Sequence, residues 1–174
     1  MTHLEEIMKS KIKPKEKTAL LAEKLIEDKG LLKEIYGGFS AMSVGEKGTC
    51  IEAIGIITKD DPKFADGCLE FVIDQIGDDG PRVKWESAQV VSNVAKTYPD
   101  RTAKAIPALL DNTENDGTVV RWSAAKGLTE IAINNQGKRE QLIKSFNEIL
   151  KREDNNGVKN IYLKALKKME KGKK

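Results

Sequence analysis

Apolar positions along this chain recur at helical spacing, in blocks that restart every few tens of residues. In Asp116–Ala132, DGTVVRWSAAKGLTEIA, Val120, Ala124, Leu128 and Ile131 fall three or four apart on one helical face, with Ala125 and Ala132 beside them. Asn115, Asp116 and Gly117 make a polar turn before it. The phrase occurs 37 residues earlier as DGPRVKWESAQVVSNVA, where Val83, Ser87, Ala88, Val91, Val94 and Ala95 hold the equivalent places. A helical phrase repeated at this period predicts a solenoid, because one such unit cannot bury its apolar face alone.

A small frame extends the repeat: Gly, four residues, a bulky residue, two residues, Ala. It fits Gly45-Cys50-Ala53, Gly80-Trp85-Ala88, Gly117-Trp122-Ala125 and Gly157-Tyr162-Ala165, and Pro14-Ala19-Ala22 with Pro for Gly. The Gly or Pro is expected where the chain turns into a helix. The Ala is expected where neighbouring helices approach too closely for a larger side chain. Six residues after the bulky position stand Leu25, Ile56, Val91 and Leu128, the expected core knobs; Lys168 takes that place in the last copy, as in a polar closing cap.

Between these lie segments expected to form partner helices: Leu4–Lys9, Leu31–Phe39, Phe64–Ile76, Arg101–Asn112 and Lys138–Arg152. Pro107 should kink or delimit the fourth. Every linker is short and polar. The expected fold is therefore all-α, a right-handed α-α superhelix (a solenoid) of about five helix pairs in one domain, 1–174. The approximate repeats are 1–29, 30–60, 61–98, 99–136 and 137–171.

The phrase Val120-Arg121-x-x-Ala124-Ala125-x-x-Leu128-x-x-Ile131 resembles the second helix of a HEAT repeat, in particular the short bacterial and archaeal type and phycobilin-lyase-like repeats. Val83-Lys84-x-x-Ser87-Ala88-x-x-Val91 is similar, with Lys for Arg. The resemblance implies that second helices line a concave face where partners bind. It also implies an acid–base ladder: Asp116 or Asn115 with Arg121, and Asp78 or Asp79 with Lys84. In the frame above, Thr18, Thr49 and Ile161 hold the basic position of the other copies, which would confine the ladder to the middle of the stack.

Composition narrows the possibilities. Charged residues are 33% of the chain and aromatics 5%, which suits exposed helix faces over small aliphatic cores better than a sheet sandwich. Net charge is +3, unevenly spread: residues 1–136 carry 18 Lys and Arg against 22 Asp and Glu, and residues 137–174 carry 12 against 5. Cys50 and Cys68 lack any zinc or CxxC spacing and read as free, buried cysteines of a cytoplasmic protein. No apolar run approaches the roughly 18 residues of a membrane span, and the N-terminus lacks the apolar core of a signal peptide.

No catalytic constellation is present, and no cofactor or metal is expected. His3 is the only histidine, at a terminus expected to be mobile. Gly37-Gly38 and Gly45-x-x-Gly48 form no phosphate-binding loop. Asp60-Asp61 and Asp78-Asp79 read as helix-start residues. Trp85 and Trp122 sit at the edge of the apolar stripe, as inter-repeat packing residues or as anchors for a partner. On the second reading the partner face comprises Lys84, Trp85, Gln89, Arg121, Trp122 and Lys126, with Tyr162 continuing the row. The expected function is a non-enzymatic scaffold that binds a protein or peptide on its concave face. The alternatives are a nucleic-acid protein resembling HEAT-like DNA alkylation-repair enzymes, opposed by the acidic balance of residues 1–136, and a chromophore-lyase-like accessory protein.

Overall fold

Eleven α-helices and no strand occur among residues 1–172, which the computed structural model describes; Lys173 and Lys174, the end of the basic segment, lie outside them. In chain order they are α1 His3–Lys9, α2 Pro14–Glu27, α3 Leu31–Gly38, α4 Val44–Asp60, α5 Leu69–Asp74, α6 Pro81–Val94, α7 Pro99–Thr102, α8 Ile106–Asn112, α9 Thr118–Asn134, α10 Gln136–Arg152 and α11 Asn156–Lys171. Helices α2, α4, α6, α9 and α11 pack each on the next, forming the second row. The remaining helices form the first row beside them, and the two rows make an α-α superhelix.

The first-row segments before α10 are short because their sequences break them. α5 is flanked by 3-10 turns at Pro62–Gly67 and Gln75–Gly77, and another at Ala103–Ala105 joins α7 to α8. Pro107 is the second residue of α8, where its missing N–H costs nothing, so it delimits the helix and does not kink it. His3, expected to be mobile, opens α1 behind a Thr2–Glu5 capping box, with Leu4 and Ile7 buried.

The second-row helices begin after Lys13, Ser43, Gly80, Gly117 and Asn155. Counted from these caps, the glycine frame holds only for α6 and α9. Pro14 is the first residue of α2, and Gly45 and Gly157 are already the second residues of α4 and α11. The slip has visible consequences. Ile56, expected as a core knob, is 45% exposed, and Ile54 is the buried residue at the equivalent place. Leu166, not Lys168, stands there in α11 and is half-buried, while Met169 is buried. The stripe therefore continues to the end of α11.

The corrected count gives each second-row helix a basic fourth residue: Lys17, Lys47, Lys84, Arg121 and Lys159. Three reach forward to the following pair. Lys47 Nζ lies 3.1 Å from Asp78, Lys84 Nζ donates to Asn112 Oδ1 at 3.4 Å, and Arg121 Nε donates to Glu153 Oε2 at 3.0 Å. Lys17 turns back and donates to the Met8 carbonyl at 2.7 Å. Lys159 meets no carboxylate within 4.0 Å among the described residues. The ladder expected within repeats thus runs between them.

The core falls into two clusters that meet on α6. Val83 and Val90 face an N-terminal cluster with Leu25, Ile35, Ile51 and Ile54. Ala88, Val91 and Val94 face a C-terminal cluster with Leu128, Ile131, Phe146 and Tyr162. Buried Thr58, Ser123 and Thr129 return their hydroxyls to the carbonyl four residues back, so close packing leaves them satisfied. Along the first row Arg101 clamps two acids of the preceding pair, Asp66 and Glu70, with its plane 4.9 Å from the Tyr98 ring.

Two expectations follow. Ala88 and Ala125, the eighth residues of α6 and α9, are fully enclosed. Ala125→Leu should overpack this contact and cost about 1–3 kcal/mol in a urea titration. Hydrogen bonding from Arg101 holds the Glu70 carboxyl down to about 2, below its ordinary value of 4.5. Because the folded value is depressed, its stabilisation is complete above pH 4.5 and is lost as pH falls toward 2. Arg101→Ala should reduce the slope of stability against pH in that window, read from melts at successive pH values.

Candidate functional site

The surface open along the second row is set by helix geometry. Fifth, ninth and thirteenth residues, each four apart, lie one above another. At the fifth position stand Gly48, Trp85, Trp122 and Asn160 in α4, α6, α9 and α11; at the ninth, Glu52, Gln89, Lys126 and Lys164. Gly48 has no side chain because Arg82 crosses α4 there: a Cβ would meet the Arg82 side chain at 2.8 Å. Arg82 uses that passage to donate to the Gly45 carbonyl and pair with Glu52.

A groove with a volume of about 500 Å³ lies on this side between α9 and α11. α9 supplies Trp122, Lys126, Glu130 and Ile133, and α11 supplies Asn160, Ile161, Lys164 and Lys168. Trp122 is 39% exposed at its mouth, with Lys126 Nζ 5.8 Å from the ring centroid. That distance is within reach of a cation–π attraction, which holds the indole and the ammonium together at the surface.

The residues expected from sequence separate into three groups. Trp122 and Lys126 share the α9–α11 groove. Trp85 and Gln89 are half-buried on α6; the Trp85 indole donates to Glu86 at 3.1 Å, and Gln89 donates to Asn93 at 3.1 Å. Gln89 lines a smaller, separate groove between α4 and α6 with Glu52, Ile56, Lys59 and Glu86. Burial, then the neighbouring Glu52 charge, raises the Glu86 carboxyl above its ordinary value. Lys84, Arg121 and Tyr162 belong to the scaffold. Lys84 is half-buried against Asn112.

Arg121 was expected to pair with Asp116 or Asn115 and to face a partner. It instead donates to their main-chain carbonyls at 3.1 and 3.0 Å and to both oxygens of Glu153. Its side chain is 16% exposed and that of Glu153 only 2%. Tyr162 is the seventh residue of α11, equivalent to Ser87 and Ala124 and not to the tryptophans, and packs on Phe146 at 5.1 Å between ring centroids. It is fully buried and offers nothing to a partner. Lys164, Lys168, Ile133 and Ile161 were missed from sequence. A count from the Asn155 cap would have found Lys164 as the counterpart of Lys126.

The rest of the molecule shows little chemistry. Cys50 and Cys68 are buried and free, and desolvation pushes both thiols up to about 12, away from the reactive thiolate. Among the described residues there is no group of three or more His, Cys, Asp or Glu that could hold a metal ion, and no helix is long and apolar enough to cross a membrane.

A family model described as apoptosis inhibitory protein 5 (API5) matches residues 72–171, more than half the chain. The crystal structure of an engineered protein superposes with a TM-score of 0.73 at 20% identity, over 95% of this chain and 80% of its own, a likeness of fold alone. No curated protein sequence matches the chain.

The two groups of basic residues should separate experimentally. Arg121→Ala leaves the Glu153 carboxylate buried without its cation and should cost roughly 3 kcal/mol in a urea titration. Lys126→Ala, at the surface, should change stability by about 0.5 kcal/mol or less. Equal effects of the two would remove the distinction between scaffold and site.

Proposed function

Because the chain belongs to the apoptosis inhibitory protein 5 (API5) family of HEAT/armadillo-like helical repeats, we propose that it is a non-enzymatic scaffold that binds a partner protein along its second row of helices. Families of this type mediate protein interactions. Trp122 is the observation that carries the reading. It is a large aromatic side chain left partly open beside a cation at a groove mouth, the make-up of an interface anchor. A rigid stack suits such a role, since a preformed surface loses little entropy when a partner docks. The two unpaired thiols fit a reducing compartment such as the cytoplasm. The same lysines beside Trp122 favour, as a second reading, contact with nucleic-acid phosphates.

A pull-down from native lysate tests the first reading against the second, run at two salt concentrations with and without nuclease. The bait is wild type or the Trp122→Ala/Lys126→Glu variant, both changed at the surface. A discrete protein that survives nuclease and is lost with the variant is expected. Nucleic acid recovered only at low salt, with no retained protein, would replace the scaffold reading with the second.

A further inference from the structure

The α9–α11 groove has a chemistry more specific than its place in the stack requires, and from it we propose that the partner enters as an acidic amphipathic helix. This rests on the reading above, that the second row binds protein, and narrows it to one groove and one kind of occupant.

Charge comes first. Lys126 stands on the α9 side, and Lys164 and Lys168 stand on the α11 side. Lys164 and Lys168 are exposed, and no carboxylate lies within 4.0 Å of any of the three among the described residues. Four other cations of the same C-terminal segment are engaged elsewhere. Lys144 and Lys151 pair with Glu140 and Glu148, Arg139 donates to the last carbonyls of α9, and Arg152 bonds Thr113. The single carboxylate lining the groove, Glu130, is approached by the Asn134 amide at 3.4 Å. The groove thus keeps a net positive lining, whereas the α4–α6 groove sets Glu52 and Glu86 against Lys59. Along the ninth positions the charge passes from Glu52 through Gln89 to Lys126 and Lys164, so one end of the row selects an acidic occupant and the other does not.

The lining runs from Trp122 to Ile133 on α9 and from Gly157 to Lys168 on α11. Eleven residue steps of helix make each wall about 17 Å long, the length of about three helical turns. Ile133, Ile161 and Ala165 give it an apolar floor, and the Trp122 ring closes one end. An amphipathic helix meets such a trough with apolar anchors at i, i+3, i+4 and i+7 while its flanks face the walls. Here the flanks would carry Glu or Asp against Lys126, Lys164 and Lys168. Single-stranded nucleic acid fits less well. It stacks successive bases on successive aromatic platforms, but Trp85 is half-buried with its N–H engaged by Glu86, which leaves Trp122 as the exposed indole.

The test titrates the full ¹⁵N-labelled chain with three probes. One is a designed peptide of about fourteen residues, helical, with Leu and Phe at i, i+3, i+4 and i+7 and Glu on both flanks. The second replaces every Glu with Lys, and the third is a single-stranded oligothymidine. The acidic peptide should shift amides of α9 and α11. Its affinity should fall about tenfold or more in Lys164→Glu/Lys168→Glu, a variant whose thermal melt should match wild type because both side chains are exposed. The Lys peptide should leave those amides unmoved. Equal binding of both peptides, or shifts confined to the α4–α6 groove, would overturn the acidic occupant and leave protein binding along the row standing. Peptide shifts confined to α1, α3, α5, α7, α8 and α10 would overturn both. Oligothymidine binding in the groove more tightly than the acidic peptide would overturn the inference in favour of nucleic acid. No shift with any probe overturns the inference, and the pull-down then decides the scaffold reading by itself.

Discussion

A buried carboxylate in the last interhelical turn fixes much of what lies around it. Glu153 is enclosed between α10 and α11, where it also accepts the Asn155 N–H that begins the last turn, and among the described residues only Arg121 offers it a full charge at close range. An enclosed carboxylate is tolerated when it is paired and its remaining lone pairs are bonded. The guanidinium that meets this need also holds the carbonyls of Asn115 and Asp116, so one side chain joins the turn before α9 to the turn before α11. The spacing of α9 and α11, and hence the groove between them, depends on that junction. Lys47 with Asp78 and Lys84 with Asn112 repeat the arrangement more weakly upstream.

Because these junctions run forward from each pair to the next, the stack is registered link by link. α6 is the middle link. Its two sides serve different cores, Val83 and Val90 on one and Ala88, Val91 and Val94 on the other. Gly55 and Gly127 face α6, where a Cβ would stand 3.9 Å from a Val90 methyl and 3.7 Å from the Ala88 carbonyl, and at Gly127 it would also come within 3.1 Å of a Leu109 methyl on α8. A larger residue at either glycine would be felt across a helix boundary, since close-packed interiors transmit strain.

The all-helical repeat was legible in sequence because its signal is physical. Val120, Ala124, Leu128 and Ile131 must share a face if α9 is to bury one, and the same need shaped α6. The register of the remaining copies was not legible from glycine, because glycine's place in the first turn is free: it is the cap of α6 and α9 but an inner residue of α4 and α11. The fixed feature is the cation three residues after the first helical position, which needs a particular height to reach the next turn. Half of the groove was legible for the same reason. Trp122 and Lys126 lie on the best-marked helix, whereas Lys164 and Lys168 lie on the helix whose frame had slipped by two. Arg121 misled because sequence shows a cation near an acidic turn but not the distant Glu153 that folding brings to it.

Cys50 and Cys68 both sit in the N-terminal cluster, and the C-terminal cluster has no thiol of its own. Enclosure and the raised thiol values make both unreactive while the helices stay closed. Alkylation in native buffer therefore works as a clock for opening of the first three pairs, blind to fraying of the last two. A ligand held against α9 and α11 would slow that clock only insofar as α6 conveys its stabilisation from one core to the other, which makes the labelling rate a gauge of cooperativity along the stack.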